Sequence, residues 1–278
     1  MSLKNQHSKN KNLLLIIDAQ YDFCNPKGSF FVSGAVKDIK TISKFIAKNL
    51  NEIHSIVITL DNHQINDISH PNFWRNKKGN TPSPFTQITH NEVVNGEWIP
   101  NNSLAQILSY LKILETQNEF SHFIWPEHCI VGTKGACLEE KIATSIDLWS
   151  RKTKRNYLTI VKGLNPLTEH FGVFEAQFAR SEDKDTEFNQ RLLNHIDKYE
   201  NIYVVGEAKS HCVANTIKQL IKRSPAVLKK IIILEDTMSN FPNFEYIADN
   251  IYSEAKKLGA TFIKNSEDVV MIEKTPII

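Results

Sequence analysis

The sequence predicts an α/β protein of three layers, with a six-stranded, Rossmann-like parallel sheet covered by helices on both faces. Short, nearly continuous apolar runs recur along the chain, and such runs are typical of strands buried on both faces. Amphipathic stretches with a helical period separate most of these runs. Ionisable residues follow several runs directly, and in an open parallel sheet these strand ends share one edge, where ligands bind.

Composition is that of a globular protein. The 278-residue chain is 41% hydrophobic, and 33 Lys and Arg against 31 Asp and Glu give a formal net charge of +2. This balance gives no basic surface for nucleic acid or a membrane, and no apolar run approaches the roughly 18 residues of a membrane span. Four cysteines without a CxxC pair favour reduced thiols. We therefore expect a cytoplasmic protein with no nucleic-acid or membrane partner.

The elements follow one another in a simple order. Residues 1–11 are polar and predict a disordered tail, and residues 12–278 predict a single domain. Six strands are predicted at 13–18, 55–61, 158–163, 202–207, 231–236 and 260–264. Helices are predicted at 36–50, 102–116, 211–223 and 244–259. The stretch at about 64–124, rich in Asn, Pro, Thr and His, interrupts this alternation and predicts a long insertion of loop and helix.

Four reactive residues lie at or after the predicted strand ends: Asp18, Asp61, Lys162 and Cys212. Cys212 is expected in the first turn of a helix, where free N–H groups and a nearby lysine favour a thiolate. An aspartate can accept the thiol proton, which gives a cysteine nucleophile with its base. Each residue alone also has a structural explanation, as a helix cap, a solvated lysine or a small core residue. Their shared edge favours a catalytic crevice.

A second set of residues could bind a metal ion. Asp61 and His63 alternate on extended chain, so both side chains can point the same way, and His128 lies on a separate loop. One carboxylate and two imidazoles suit Zn²⁺, Fe²⁺ or Mn²⁺. The alternative is a polar loop with surface histidines, because the chain has ten. Four histidines lack such a context and are given no role: His54, His90, His122 and His195.

With these residues identified, the chain resembles the nicotinamidase/isochorismatase-like cysteine hydrolases from about residue 12 to about residue 264. Five ordered motifs carry the resemblance: LLIIDAQYDFCNPKGSFFVSGA, TLDNHQINDISHPNFW, WPEHCIVGTKGA, IVKGLNP and GEAKSHCVANT. The WPEHC motif is close to the form found in the nicotinamidase branch. The resemblance implies the isochorismatase-like hydrolase fold, a small-molecule amide substrate and a homo-oligomer.

The resemblance also implies a role for each catalytic residue. Asp18 matches the acid/base, Lys162 the lysine and Cys212 the nucleophile that forms a thioester acyl-enzyme. A cis peptide bond is implied between Glu207 and Ala208, four residues before the nucleophile. The backbone N–H groups of Ala208 and Cys212 are expected to form an oxyanion hole.

Further residues of the resemblance surround this centre. Three metal ligands are implied, with Zn²⁺ the expected ion and Fe²⁺ or Mn²⁺ the alternatives: Asp61, His63 and His128. Three aromatic residues are expected to wall the substrate pocket: Phe23, Trp125 and Phe171. Two polar residues are expected around metal-bound waters: Gln20 and Ser69. His70 is an alternative ligand or pocket residue.

The chain departs from the family pattern around the pocket. Asn62 stands where tryptophan is usual, Asp67 where histidine is often found, and Phe171 where tyrosine is usual. The expected function is hydrolysis of a small amide, as in nicotinamide to nicotinate and ammonia. The alternatives are a hydrolase of carbamoyl or ureido compounds and a catalytically silent scaffold that binds a small molecule. A metal-free vinyl-ether hydrolase of the isochorismatase type is disfavoured, because that branch typically lacks the cysteine.

Overall fold

A computed structural model describes residues 11–116, 121–269 and 271. Its strands are β1 (Asn12–Ile17), β2 (Ile53–Asp61), β3 (Trp74–Arg75), β4 (Ile99–Pro100), β5 (Leu158–Lys162), β6 (Asn201–Gly206), β7 (Ile231–Leu234) and β8 (Thr261–Ile263). Six of them form one sheet in the order β5-β2-β1-β6-β7-β8, and every neighbouring pair is parallel. The chain order reverses direction at β1, where β2 lies on one side and β6 on the other. Such a switch point leaves a crevice at the carboxyl ends of the strands.

The described residues form the helices α1 (Tyr21–Cys24), α2 (Ala35–Lys48), α3 (His90–Val94), α4 (Leu104–Thr116), α5 (Glu140–Thr153), α6 (Gln190–Ile196), α7 (Ala214–Arg223) and α8 (Glu245–Lys257). Apart from α3 and α4, the longer helices form a layer on each face of the sheet. Alternate residues of β1 face opposite layers: Leu14 and Ile16 join the core under α2 and α5, whereas Leu13 and Leu15 join the core under α7 and α8. The predicted three-layer α/β/α fold is confirmed.

Element boundaries differ from the prediction by a few residues, for local reasons. The strand predicted at 231–236 ends at Leu234, because Glu235–Thr237 forms a 3₁₀ turn. The helix predicted at 36–50 begins one residue earlier and ends at Lys48. Val36, predicted on its buried face, is 36% exposed, whereas Ala35 beside it is 0% exposed, so the buried face of the first turn runs through Ala35 and not Val36.

The insertion at about 64–124 is a packed unit. Besides the predicted helix, here α4, it contains α3 and the antiparallel pair β3–β4, which the sequence did not indicate. Its own apolar cluster includes Trp74, Ile107 and Leu111, all 0–1% exposed. The Trp74 indole donates a hydrogen bond to the Ile68 carbonyl at 2.7 Å. The described part of the insertion therefore has an apolar core of its own.

Of the predicted tail at 1–11, residues 1–10 lie outside the described residues. The Lys11 carbonyl accepts a hydrogen bond from the Glu200 N–H at 2.9 Å. Among the helices that the structure describes, none has the length and apolar character required to cross a membrane.

Candidate active site

The carboxyl edge of the sheet brings the four reactive residues together. Asp18 follows β1, Asp61 and Lys162 end β2 and β5, and Cys212 follows β6. Asp61 and Lys162 are paired residues in the register of β2 with β5. All four side chains are buried, with exposed fractions of 0–6%. The crevice predicted from strand ends is therefore a real cluster.

The Lys162 ammonium lies at the centre of this cluster. Its Nζ is 2.9 Å from Asp18 Oδ2, 2.9 Å from Asp61 Oδ1 and 3.8 Å from Cys212 Sγ. Gly163, with φ +82°, follows immediately, and a Cβ there would lie 2.8 Å from Asp61 Oδ1. Only glycine thus accommodates both the left-handed backbone and the close carboxylate.

Burial and the three charges set distinct proton affinities. Burial lowers the pKa of Lys162, but Asp18 and Asp61 outweigh it and hold that pKa well above its usual value. Burial raises the pKa of Asp61, yet His63 and Lys162 outweigh this and hold it well below the usual range. For Asp18 burial dominates, and its pKa is raised despite Lys162. Asp61 is therefore the carboxylate that favours the charged form, and Asp18 is the one that more readily accepts a proton.

Cys212 occupies a π-helical turn, Lys209–Val213, that leads directly into α7. The sequence predicts a thiolate here, and that prediction is wrong for the resting state. Burial raises the pKa of Cys212 well above its usual value, and the lowering effect of Lys162 does not compensate. The Cys212 sulfur and a carboxylate oxygen of Asp18 lie within 4.8 Å of each other, so Asp18 is placed to remove the thiol proton.

The backbone before the nucleophile is tightly turned. The Glu207–Ala208 peptide bond is cis, at the position that the resemblance implies. The Ala208 carbonyl accepts hydrogen bonds from the N–H groups of His211 at 3.0 Å and Val213 at 3.2 Å. The second bond closes the five-residue turn of a π-helix, a geometry frequent at functional sites.

Beside this cluster, three groups could hold a metal ion. Single ligand atoms of Asp61, His63 and His128 lie within 4.8 Å of one another. The Nε2 atoms of His63 and His128 are 3.1 and 3.7 Å from Asp61 Oδ2. The other ring nitrogens are held elsewhere: His63 Nδ1 by Asp67 at 3.1 Å and His128 Nδ1 by the Pro126 carbonyl at 2.7 Å.

This donor set fits a divalent cation. If a metal ion were bound, each Nδ1–H would donate to its oxygen acceptor and leave Nε2 as the ligand atom, as metal-bound histidines require. A carboxylate with two imidazoles leaves positions open for water or substrate, and suits Zn²⁺ among other ions.

The two polar residues expected near metal waters contact Asp61 and Asp67. The Gln20 side chain makes two hydrogen bonds to the Asp61 backbone, both at 2.7 Å. Its oxygen accepts a hydrogen bond from the Asp61 N–H, and its amide group donates one to the Asp61 carbonyl. Ser69 Oγ donates to Asp67 Oδ1 at 2.8 Å, and Asp67 in turn orients His63. Asp67, noted in the sequence only as a departure from the family pattern, is thus a support of the donor set.

His70 lies behind His128 and outside the three-residue donor set. Its Nε2 is 3.2 Å from His128 Nδ1, and its Nδ1 is 3.1 Å from the Gln64 carbonyl. Burial, with His128 and His63 nearby, lowers the pKa of His70 to about 3. His70 therefore packs neutral against a candidate ligand.

The three predicted pocket residues lie around the same centre. The Phe23 ring centroid is 5.4 Å from that of His128, and the Trp125 and Phe171 centroids are 6.3 Å apart. Trp125 donates its indole N–H to Glu169 Oε2 at 3.2 Å. Burial raises the pKa of Glu169 to about 7. Glu169 was not identified from the sequence.

Other aromatic neighbours were also missed. Phe30 stacks on Phe241 at 4.4 Å and lies 4.9 Å from the ring of His128. His211, next to the nucleophile, lies 5.5 Å from Trp125. Phe85, on the insertion, is 6.1 Å from both Phe30 and Trp125. For the phenylalanines, the sequence contained one usable signal. They lie in segments with glycine or proline, outside the predicted helices and strands, so packing of a predicted element does not account for them.

Comparison with known proteins gives a consistent picture. No family model matches the chain. The nicotinamidase of Saccharomyces cerevisiae is 24% identical over 203 residues, which are 73% of this chain and 78% of that protein. The crystal structure of the yeast nicotinamidase bound to the inhibitor nicotinaldehyde superposes with a TM-score of 0.62 at 19% identity, over 91% of this chain and 99% of that one. A pyrazinamidase of Pyrococcus horikoshii in complex with zinc gives 0.52 at 18% identity, over 91% and 98%.

Proposed function

We infer that the chain is a member of the nicotinamidase/isochorismatase-like family and an amidohydrolase, because it is similar to nicotinamidases in both sequence and fold. On this premise we propose that it hydrolyses a small amide, with nicotinamide as the first candidate, through a thioester on Cys212. One observation carries the proposal: a single buried ammonium, Lys162, contacts Asp18 and Asp61 at 2.9 Å and the Cys212 thiol at 3.8 Å.

In the acylation step, Cys212 Sγ attacks the amide carbon while Asp18 takes the thiol proton. The raised pKa of Asp18 favours this transfer, because it brings the proton affinity of the base closer to that of the thiol. The backbone N–H groups of Ala208 and Cys212 stabilise the oxyanion, a contribution of about 3–4 kcal/mol per donor. Asp18 then gives the proton to the departing amine, and the C–N bond breaks to release ammonia.

In the deacylation step, Asp18 accepts a proton from a water molecule that attacks the thioester carbon. The carbon–sulfur bond breaks, the proton returns to Cys212, and the carboxylic acid leaves. Throughout, Lys162 holds the negative charges of Asp18 and of the developing thiolate close together. Asp18 and Asp61 together hold the pKa of Lys162 high, and Asp61 continues to do so while Asp18 carries a proton.

Asp61, His63 and His128 are proposed to hold a divalent cation, for which Zn²⁺ is the first candidate. When bound, such an ion supplies an electrophilic contact that orients a ring nitrogen of the substrate. The support is the donor geometry described above and the zinc complex of the pyrazinamidase of similar fold. Phe23, Trp125 and Phe171 are proposed as the aromatic walls that hold a planar ring beside Cys212.

The test is ammonia release from nicotinamide, pyrazinamide, and a set of carbamoyl and ureido compounds. We expect turnover of a pyridine carboxamide that is lost in Cys212→Ala and retained in Cys137→Ala, a matched cysteine that is exposed. A thioester adduct on Cys212, detected by mass spectrometry after rapid quenching, identifies the intermediate. If only ureido compounds are turned over, the substrate is a ureido compound and not a pyridine carboxamide. Full activity of Cys212→Ala refutes the covalent mechanism.

Two further properties complete the proposal. A homo-oligomer and a cytoplasmic location are expected for such an enzyme. Sedimentation velocity of the purified chain at several concentrations tests the first, and a monomer at all concentrations contradicts it. Fractionation of cells that produce the chain tests the second.

A further inference from the structure

Beneath the nucleophile loop lies a pair of buried carboxyl groups that the mechanism does not use. Glu207 is 0% exposed and Asp38, on α2, is 5% exposed. Both carboxyl groups are bonded to the same residue, Ser239, and each shifts the pKa of the other. Two buried carboxylates side by side repel each other, which favours a proton on one of them.

Ser239 joins both acids. Its N–H donates to Glu207 Oε2 at 3.1 Å, and its hydroxyl donates to Asp38 Oδ2. Glu207 Oε1 has no hydrogen-bond partner in the described part of the chain. The three residues thus form a ring between the end of β6, α2 and the loop before α8, in which Ser239 bonds to both acids and the two acids act on each other.

The fold makes room for this ring. Gly34, at the N-terminus of α2, has φ +107°, and a Cβ there would lie 2.3 Å from Ser239 Oγ. Ser239 also accepts, through its carbonyl, the N–H of Lys209 at 2.8 Å. Two residues further on, Phe241 N–H donates to Ser210 Oγ at 3.2 Å. The loop that carries Ser239 is therefore bonded on both sides to the segment that carries Ala208 and Cys212.

We propose that Glu207 and Asp38 share one proton, and that this acid pair, through Ser239, positions the Ala208–Cys212 segment whose N–H groups receive the oxyanion. Glu207 and Asp38 are positioning residues, because neither touches the reacting atoms. The catalytic half of the statement rests on the proposed amide hydrolysis, whereas the shared proton does not. Burial raises the pKa of Glu207 well above its usual range, and that of Asp38 also rises; the proton accordingly belongs mainly to Glu207.

The Glu207–Asp38 pair sets an upper pH limit for the activity of the enzyme. Loss of the shared proton places two negative charges side by side in the core, so the ring opens and the N–H groups of the oxyanion site move. The other ionisable groups that face the pair come from four elements: Cys24, Lys37, Tyr252 and Asp236. Of these only Lys37 is a cation, and it lowers the pKa of Asp38.

Infrared spectroscopy of the full-length protein tests the shared proton directly. We expect a protonated-carboxyl band at neutral pH that disappears in Glu207→Gln. Glu169→Gln is the matched control, since it removes the band of a different buried acid and leaves this one. A spectrum in which Glu207→Gln removes no carboxyl band overturns the proposal, whether or not any amide is hydrolysed.

Kinetics test the positioning role. Glu207→Gln keeps the hydrogen bond from Ser239 and a polar group beside Asp38, whereas Glu207→Leu removes both. We expect kcat to fall by about 10- to 100-fold in Glu207→Leu, as for a displaced catalytic group, and to fall much less in Glu207→Gln. The alkaline decline of kcat should disappear in Glu207→Gln. Equal kcat values and equal pH profiles for the two variants refute the role, and if Glu207→Leu does not fold, the pH profile of Glu207→Gln decides.

Discussion

Asp61 and Lys162, paired across β2 and β5, form a buried ion pair of 2.9 Å between Oδ1 and Nζ. The second oxygen of the same carboxylate, Oδ2, lies 3.1 Å from His63 Nε2. One side chain therefore connects the lysine beside the nucleophile to the candidate metal ligands. A substitution of Asp61 should therefore disturb both Lys162 and the candidate metal site. A substitution of Lys162 or of a histidine ligand removes only one of these contacts directly.

The Asp61→Asn variant should bind metal more weakly and hydrolyse its substrate more slowly than the wild type. The amide keeps the size of the carboxylate but loses the charge that attracts the cation and holds Lys162 protonated. We expect metal affinity to fall by at least about tenfold, measured by elemental analysis after equilibration with Zn²⁺. Asp147→Asn, at an exposed ion pair on α5, is the control. Equal metal content in the two variants contradicts the ligand assignment.

Thr59→Val should move the acid limb of the pH–rate profile to higher pH. Thr59 donates a hydrogen bond to Asp18 and lowers its pKa. Without the hydroxyl, the pKa of Asp18 rises further, so the base is protonated, and activity is lost, at a higher pH. The measurement is kcat/KM against pH. The control is Thr144→Val, at an exposed position of α5. An unmoved limb in Thr59→Val shows that Asp18 does not control it.

Phe85→Ala should weaken substrate binding more than it slows turnover. Phe85 is 53% exposed, has φ +69°, and borders Phe30 and Trp125. Loss of one aromatic contact is worth about 0.5–1.5 kcal/mol, so KM should rise about 2- to 10-fold at nearly constant kcat. Val94→Ala, at another exposed position of the insertion, is the control. If kcat falls while KM stays constant, Phe85 acts on the chemical step instead.

Acid should destabilise the protein through His122. Burial lowers the pKa of this imidazole to about 4, so between pH 6.5 and 4 the unfolded chain binds a proton that the folded chain does not. The free energy of unfolding should therefore fall as pH decreases through this window, by about 3 kcal/mol from this residue. Urea unfolding of the wild type and His122→Asn at pH 7 and pH 4.5 measures it. The slope with pH should be smaller in the variant, and an equal slope contradicts the prediction.

Leu111→Ala should destabilise the insertion, and Leu104→Ala on the same helix should not. Leu111 is 1% exposed in the apolar cluster of the insertion, whereas Leu104 is 50% exposed. A buried Leu→Ala change costs about 2–5 kcal/mol, and an exposed one about 0.5 kcal/mol or less. Denaturant unfolding gives both values. Similar values for the two would mean that the cluster does not hold the insertion together.

The sheet could be predicted from the sequence because each strand is a local apolar run. The run at 13–17 becomes β1 almost residue for residue, and parallel pairing then brings the strand ends to one edge. The insertion could not be predicted in the same way, because β3 and β4 have only two residues each. Their pairing depends on contacts between Trp74 and Pro100, for which no periodic pattern exists.

In the candidate active site, too, some residues could be predicted from the sequence and others could not. Asp18, Lys162 and Cys212 were found because each directly follows a strand. Asp38 and Glu207 were not found as a pair, because one lies on a helix whose charged residues usually face solvent and the other follows a strand 169 positions later. The protonation of Cys212 was also mispredicted, since burial, which outweighs Lys162, depends on every layer of the fold.

The pairing of Asp61 with Lys162 also constrains how the gene can change in length. Because β5 is an edge strand of five residues that pairs with β2 alone among the described strands, one codon gained or lost within it puts Val161 or Gly163 opposite Asp61 and turns the ammonium away. The segment at 64–124, which leaves the sheet after β2 and returns before α5, has no such register to keep. Over evolutionary time, insertions and deletions should collect in that segment, so new substrate preferences can arise there while the reactive centre keeps its spacing.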